Sequence, residues 1–136
     1  MIGAIFGDIV GSIYEWNNIK TKDFDLFQDK MFFTDDSVMT VALAKALKEF
    51  VNGKGKLQNL AIKNMQLFGR KYPDAGYGEK FNDWLKTDNP EPYISFGNGS
   101  AMRVSACGWV GKTSDEVKKL SYDVTAVTHN HPEGLK

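Results

Sequence analysis

The sequence predicts an all-α protein. Apolar residues recur at three- and four-residue spacings in several segments, helix-start and helix-stop signals bracket those segments, and no strand-type alternation runs to useful length. At 136 residues the chain is one domain or part of one. A hydrophobic fraction of 42% and a charged fraction of 25% are ordinary for a globular protein. Lys plus Arg equals Asp plus Glu, 17 each, which argues against a nucleic-acid tail or a membrane-surface protein. The single cysteine, Cys107, rules out an intramolecular disulfide and fits a reducing compartment. Met1 to Gly11 is apolar, but it has no basic flank, Asp8 interrupts it, and it is too short to span a membrane. The expected location is cytoplasmic.

The first element is a helix on which Ile2, Ile5, Phe6, Ile9, Val10 and Ile13 form an apolar face. Gly3, Gly7 and Gly11 lie on another stripe, although each glycine should weaken a helix by roughly 1 kcal/mol relative to alanine. That spacing suggests a close approach along the stripe. Asp8, Ser12 and Glu15 form a polar stripe at i, i+4 and i+7. Asn17 to Met31 is irregular and polar, with Phe24, Leu26 and Phe27 scattered through it, and unstructured connections of that length are often lids or binding loops.

Asp35 to Phe50 is the clearest helix, with Val38, Val41, Ala42, Ala44, Leu47 and Phe50 as its apolar face and Asn52-Gly53 as its stop. Leu57 to Tyr72 is a second amphipathic helix carrying Leu60, Ile62, Met65, Leu67 and Phe68. Pro73 to Gly78 is a loop, Glu79 to Lys86 a short helix with Phe81, Trp84 and Leu85, and Asn89 to Pro92 a turn. Ser114 to Thr128 opens with Ser114-Asp115-Glu116-Val117, read as a capping box with acids in the first turn, and buries Val117, Leu120, Val124 and Val127. Pro132 and Glu133 begin one more helix, close to the end of the chain at Lys136.

The most informative stretch is Phe33-Thr34-Asp35-Asp36-Ser37-Val38-Met39-Thr40. Two adjacent carboxylates among three hydroxyls make a cluster of hard oxygen donors, which suits Mg²⁺ or Mn²⁺. The same residues also make an ordinary helix start, with Thr34 as N-cap and the two acids in the first turn. A cation there would oppose the helix dipole, so a metal site needs further carboxylates; Asp8 and Glu15 are the candidates. Gly97-Asn98-Gly99-Ser100-Ala101-Met102-Arg103 is glycine-rich but matches neither a dinucleotide fingerprint nor a P-loop. It can offer backbone N–H groups to phosphates or sugar hydroxyls, with Arg103 adding a charge. His129 and His131, the only histidines, are too few to bind a metal by themselves.

Four segments occur in one order: Gly7-Asp8-Ile9-Val10-Gly11 with Glu15, the Thr34-Asp35-Asp36 stretch, the Gly97 to Arg103 stretch, and Thr128-His129-Asn130-His131-Pro132-Glu133-Gly134. Together they resemble the ADP-ribosylglycohydrolase family, which includes dinitrogenase reductase-activating glycohydrolase. The resemblance runs from Ile2 to the last residue, and the Thr-Asp-Asp and Gly-Asn-Gly-Ser-Ala-Met-Arg matches are its most specific parts.

The resemblance implies an orthogonally packed all-α bundle that cleaves ADP-ribosyl linkages with two Mg²⁺ or Mn²⁺ ions. It implies metal ligation by Thr34, Asp35 and Asp36, with Asp35, Asp36 and Glu15 as the catalytic acids. Gly97, Asn98, Gly99, Ser100 and Met102 would form the loop cradling ribose and diphosphate, with His129 near the substrate. The implied partner is an ADP-ribosylated protein or a small ADP-ribosyl compound, not a membrane. Family members are considerably longer, and a later Asp-x-Asp-Ser/Thr segment that supplies their other metal ligands is absent from this sequence. Residues 1–136 therefore read as the N-terminal portion of a single domain, truncated and weakly active or inactive alone, with self-association as one way to cover exposed apolar surface. The alternative is a non-catalytic short form that binds ADP-ribose or pairs with another chain.

Overall fold

The longest helix, α2 (Asp35–Val51), organises the chain. In the computed structural model, which describes residues 1–135, it packs against α1 (Ile2–Gly11), α3 (Leu57–Lys71), α5 (Cys107–Val110) and the 3-10 turn at Val104–Ala106. Helices α4 (Glu79–Lys86), α6 (Ser114–Thr125) and α7 (Pro132–Leu135) complete the order. Lys136, where the sequence reading places a truncation, lies outside the described residues. Among those residues the only strand-like feature noted is an isolated parallel bridge between Tyr93 and His129. The all-α expectation holds.

The core is built from α2 (Val38, Met39, Ala42, Leu43, Ala46, Leu47), α3 (Leu57, Leu60, Ala61, Met65) and α4 (Phe81, Trp84, Leu85), with Ala106, Cys107, Val124 and Val127 closing it. The buried face of α2 differs from the expected one. Met39, Leu43 and Ala46 are buried, whereas Val41 and Phe50 are exposed. A helix contacted from several sides does not confine its apolar residues to one stripe, so periodicity alone misplaces the face.

Helix boundaries follow the sequence closely except at α6 and α1. The cap of α6 is Thr113, not Ser114: its hydroxyl accepts from Glu116 N at 3.2 Å, and Glu116 Oε2 accepts from Lys112 N at 2.7 Å. The pattern Thr-x-x-Glu is the better capping box, and Ser114 becomes the first helical residue. Helix α6 also stops at Thr125 rather than running to Thr128. Helix α1 departs further. Val10 is buried and Ile5 and Ile9 are half-buried, but Ile2 is 86% exposed and Phe6 is also exposed. The helix tightens into a 3-10 turn at Ser12–Tyr14, which displaces Ile13 from the stripe. Nothing lies within 4 Å of a Cβ built on Gly3, Gly7 or Gly11, so no described element makes the close approach that their spacing suggests. The loop after α1 folds back on it through edge-on contacts of Phe27 with Phe6 and of Phe24 with Tyr14.

One close approach in the core is set by glycine. A Cβ on Gly69 of α3 would stand 2.6 Å from Leu85 Cδ1 of α4. Leu85 is 2% exposed and has no open space to swing into. Gly69→Ala should therefore cost about 1–3 kcal/mol, as overpacking does in a filled core. Urea denaturation reads this directly, and an unchanged midpoint would show that α3 and α4 are less tightly packed than the 2.6 Å approach implies.

Candidate functional site

The N-terminus of α2 is where three parts of the chain meet. Thr34 sits in an extended conformation and caps the helix, its hydroxyl accepting from Asp36 N at 3.3 Å. Asp35 N donates to the carbonyl of Ala75, in the loop between α3 and α4, at 2.7 Å. Ser37 N and Thr34 N donate to Asp8 Oδ2 at 3.2 and 2.9 Å, and the Thr34 and Ser37 hydroxyls donate to the same carboxylate at 2.5 Å. Asp8 thus caps α2 from α1. Every backbone donor named here is satisfied without the carboxylate of Asp35 or Asp36. The capping reading of Thr34 is correct, but the two acids are not needed for it.

Those acids open onto two neighbouring cavities. Asp35 lines one of about 330 Å³, together with Phe81, Tyr93, Gly97, Gly99, Arg103 and His129. Asp36 lines the other, of about 760 Å³, with Gly7, Asp8, Gly11 and Glu15. Asn98 and Met102 line both, so the Gly97 loop separates the two cavities. Gly7 and Gly11 of α1 form part of a cavity wall, which is the use the fold makes of that part of the stripe. Ser100 belongs to the 3-10 turn at Asn98–Ser100 but lines neither cavity. The other expected site residues, Asp35, Asp36, Glu15, Gly97, Asn98, Gly99, Met102 and His129, line one or both. Thr34 lies beneath, buried behind the acids.

The segment at residues 93–97 is fastened to residues 128–134. Tyr93 N donates to Thr128 O at 2.8 Å, and Asn130 Nδ2 to Pro92 O at 3.4 Å. A Cβ on Gly134 would collide with the Ser95 carbonyl and stand 3.1 Å from His129 Cδ2. This contact seats His129 beside the Gly97 loop, and the His131 ring lies tilted against Phe96, at 49° with centroids 4.2 Å apart.

The site concentrates negative charge. Burial, the neighbouring Asp36, then Glu15 and Asp8 push the Asp35 carboxyl up to about 7, against an opposing bond from its own backbone. Burial, Asp8 and Glu15 also raise Asp36. The Tyr77 hydroxyl, buried without a partner among the described residues in the loop beside Asp35, is pushed up to about 12 by burial and by that carboxylate. No cation enters the balance at either aspartate. In the cavity that Asp35 lines, Arg103 is 1% exposed, pairs with no carboxylate among the described residues, and is lowered to about 10 by burial. Its guanidinium lies 5.6 Å from the Phe81 ring centroid. The sequence reading took Arg103 as a possible charged contact; its burial was not foreseen. Tyr77 and Tyr93 were missed, because a loop tyrosine carries no periodic signal.

The donor set fits a hard divalent cation in chemistry: oxygen ligands and excess negative charge at the two acids, with Lys80 and Arg103 on the wall of the cavity that Asp35 lines. It is only part of a shell. Among the described residues no three His, Cys, Asp or Glu side chains are grouped to hold an ion by themselves.

A family model for ADP-ribosylglycohydrolase matches residues 1–136, the whole chain. The chain belongs to the ADP-ribosylglycohydrolase family. It is 29% identical over 130 residues to ADP-ribosylhydrolase ARH3 of Xenopus tropicalis, covering 76% of this chain and 36% of that protein. It is 27% identical over 161 residues to ADP-ribosylhydrolase ARH3 of Mus musculus, covering 95% of this chain and 42% of that protein. The chain therefore spans about two-fifths of the length of the curated relatives it matches. No helix among the described residues is long and apolar enough to cross a membrane.

The raised carboxyl of Asp35 makes a signed stability prediction. A group that holds its proton more tightly folded than unfolded contributes stability at low pH, and that stability is lost as pH rises from about 4 to about 7. Asp35→Asn should therefore gain nothing near pH 4. Near pH 8, in chelator, it should gain roughly 1–2 kcal/mol, a figure reduced from the full shift because the site is partly solvated. Denaturation at the two pH values checks it; an equal effect at both would remove the charge crowding.

Proposed function

We propose that this chain supplies the N-terminal part of a single ADP-ribosylglycohydrolase domain, whose complete form hydrolyses ADP-ribosyl linkages with Mg²⁺, or Mn²⁺ in its place. The observation that carries the reading is the Asp35–Asp36 pair. The two carboxylates take no part in capping, repel their neighbours, and open onto cavities on either side of the Gly97 loop. Helix stability does not require that arrangement; a cation and a sugar bearing several oxygens both suit it.

Asp35 and Asp36 would hold the metal, with Thr34 contributing the lone pair left on a hydroxyl that already donates to Asp8 and accepts from Asp36 N. When bound, the metal supplies charge stabilisation, orientation of ribose hydroxyls and a lowered pKa for water. The remaining work falls to the protein. Cleavage at the ribose passes through an oxocarbenium-like state, which nearby carboxylate charge stabilises. Glu15, exposed on the rim of the Asp36 cavity, would take a proton from water. Gly97, Asn98, Gly99 and Met102 bound the other side, where ribose and diphosphate would lie, with His129 behind them. The substrate class is an ADP-ribosylated protein or a small ADP-ribosyl compound.

In the full-length protein, Asp35→Ala should lower metal-dependent hydrolysis of ADP-ribosyl linkages about 100-fold or more, the scale of losing a positioned catalytic group. The helical circular-dichroism signal should persist, and retained activity would sink the assignment. For this chain, calorimetry with ADP-ribose should show binding that strengthens when Mg²⁺ is added. Equal binding with and without the metal would separate the sugar site from Asp35 and Asp36.

A further inference from the structure

Helix α4 begins without a side-chain cap. Gly78 precedes it in an extended conformation and has no side chain to accept from the first turn. The first bond of the helix runs from Asn82 N to Gly78 O at 2.9 Å, and the N–H groups of Glu79, Lys80 and Phe81 meet no acceptor among the described residues. All three residues line the 330 Å³ cavity. Free donors at a helix start turn to water or to an anion, and the helix dipole favours the anion.

Two cations set this helix start apart from a merely hydrated one. Lys80 stands in the first turn, where a positive side chain opposes the dipole, and it forms no ion pair among the described residues. Arg103 comes from another part of the chain. It is 1% exposed on the wall of the same cavity, with its guanidinium 5.6 Å from the Phe81 ring centroid. Its Nη2 donates to Thr128, but its Nε is buried with no partner among the described residues. A buried charge without a counter-ion is costly, and an anion in the cavity would offset it through space. Two carboxylates also line the cavity. Glu79 is exposed and free to turn into water, and Asp35 is assigned to the metal in the reading above.

We propose that the first turn of α4 is an anion subsite, in which the N–H groups of Lys80 and Phe81 and the Lys80 ammonium hold a phosphate group while Arg103 adds positive potential from within the cavity wall. The anion chemistry rests on the turn and on Arg103. Its assignment to the diphosphate of an ADP-ribosyl compound rests on the function proposed above. A ligand lying with its sugar toward Asp35 and its phosphate on α4 is then held at both ends, and an uncharged glycoside is held at one.

The test is amide NMR and calorimetry of this chain in chelator, with inorganic pyrophosphate and ADP-ribose as separate probes. Both probes should shift the Lys80 and Phe81 amides. Nothing lies within 4 Å of a Cβ built on Gly78, so Gly78→Asp fits and places a carboxylate on the free N–H groups. That variant should unfold at the same or a higher urea concentration, yet bind both probes about tenfold more weakly, the scale of one hydrogen bond. Lys80→Gln should weaken both about two- to fivefold, and Lys80→Arg should restore them. Amides of α4 that neither probe shifts overturn the proposal, as do unchanged affinities in Gly78→Asp and Lys80→Gln. If Gly78→Asp does not fold, the parent shifts and Lys80→Gln still decide. Shifts with pyrophosphate but no binding of ADP-ribose would uphold the anion subsite and remove the ADP-ribosyl reading instead.

Discussion

The N-terminus of α2 is the constraint on which the rest of the site depends. A helix start carries backbone N–H groups that must find acceptors, and a fold usually meets that need with the first residues of the helix itself. Here the acceptors come from three places: the Asp8 carboxylate of α1, the Ala75 carbonyl of the loop before α4, and the Thr34 hydroxyl. Two consequences follow. Helix α1 and the loop before α4 are tied to α2 at one point. The carboxylates of Asp35 and Asp36, released from capping, are left crowded with Asp8 and Glu15, and among the described residues neither forms an ion pair. Charge crowding of this kind works against folding, and such costs concentrate where function requires them.

The Gly97 loop divides the space around those carboxylates. On one side lie Gly7 and Gly11 of α1 with Asp8, Glu15 and Asp36; on the other lie Asp35 and Glu79 together with Lys80, the buried Arg103, His129, Tyr93 and Phe81. The first compartment is acidic, and the second carries charge of both signs. That difference arises from two unrelated features of the fold, the external cap on α2 and the burial of Arg103 beside Phe81.

The second compartment also shows how a short segment gains precision. Residues 128–135 include only one turn of helix at Pro132–Leu135, yet they are fixed by the Tyr93–Thr128 bond, by the fit of Gly134 against Ser95 and by the Arg103–Thr128 contact. These restraints come from residues 25 to 40 positions earlier in the chain. They orient the imidazole of His129 far better than the local turn could.

Much of this protein is legible in its sequence because the responsible physics is local. The extents of α2, α3 and α4 follow from apolar spacing and stop signals, Thr34 follows from cap preference, and the pairing of Asp35 with Asp36 follows from adjacency. The motif order alone also pointed to the family. What the sequence left open depends on contacts between distant segments. Met39, Leu43 and Ala46 are buried because α2 is covered from several sides, and Ile2 and Phe6 are exposed because α1 is covered from few. The sequence placed Asp8 near the acids only as a candidate, and its capping bonds with Thr34 and Ser37 exist only once α1 docks. Ser100 lies outside both cavities because the 3-10 turn directs its neighbours inward instead. Spacing determined which residues share a helix face; only the tertiary fold decided which faces were buried, which carboxylates were left uncapped and which arginine lost its contact with water.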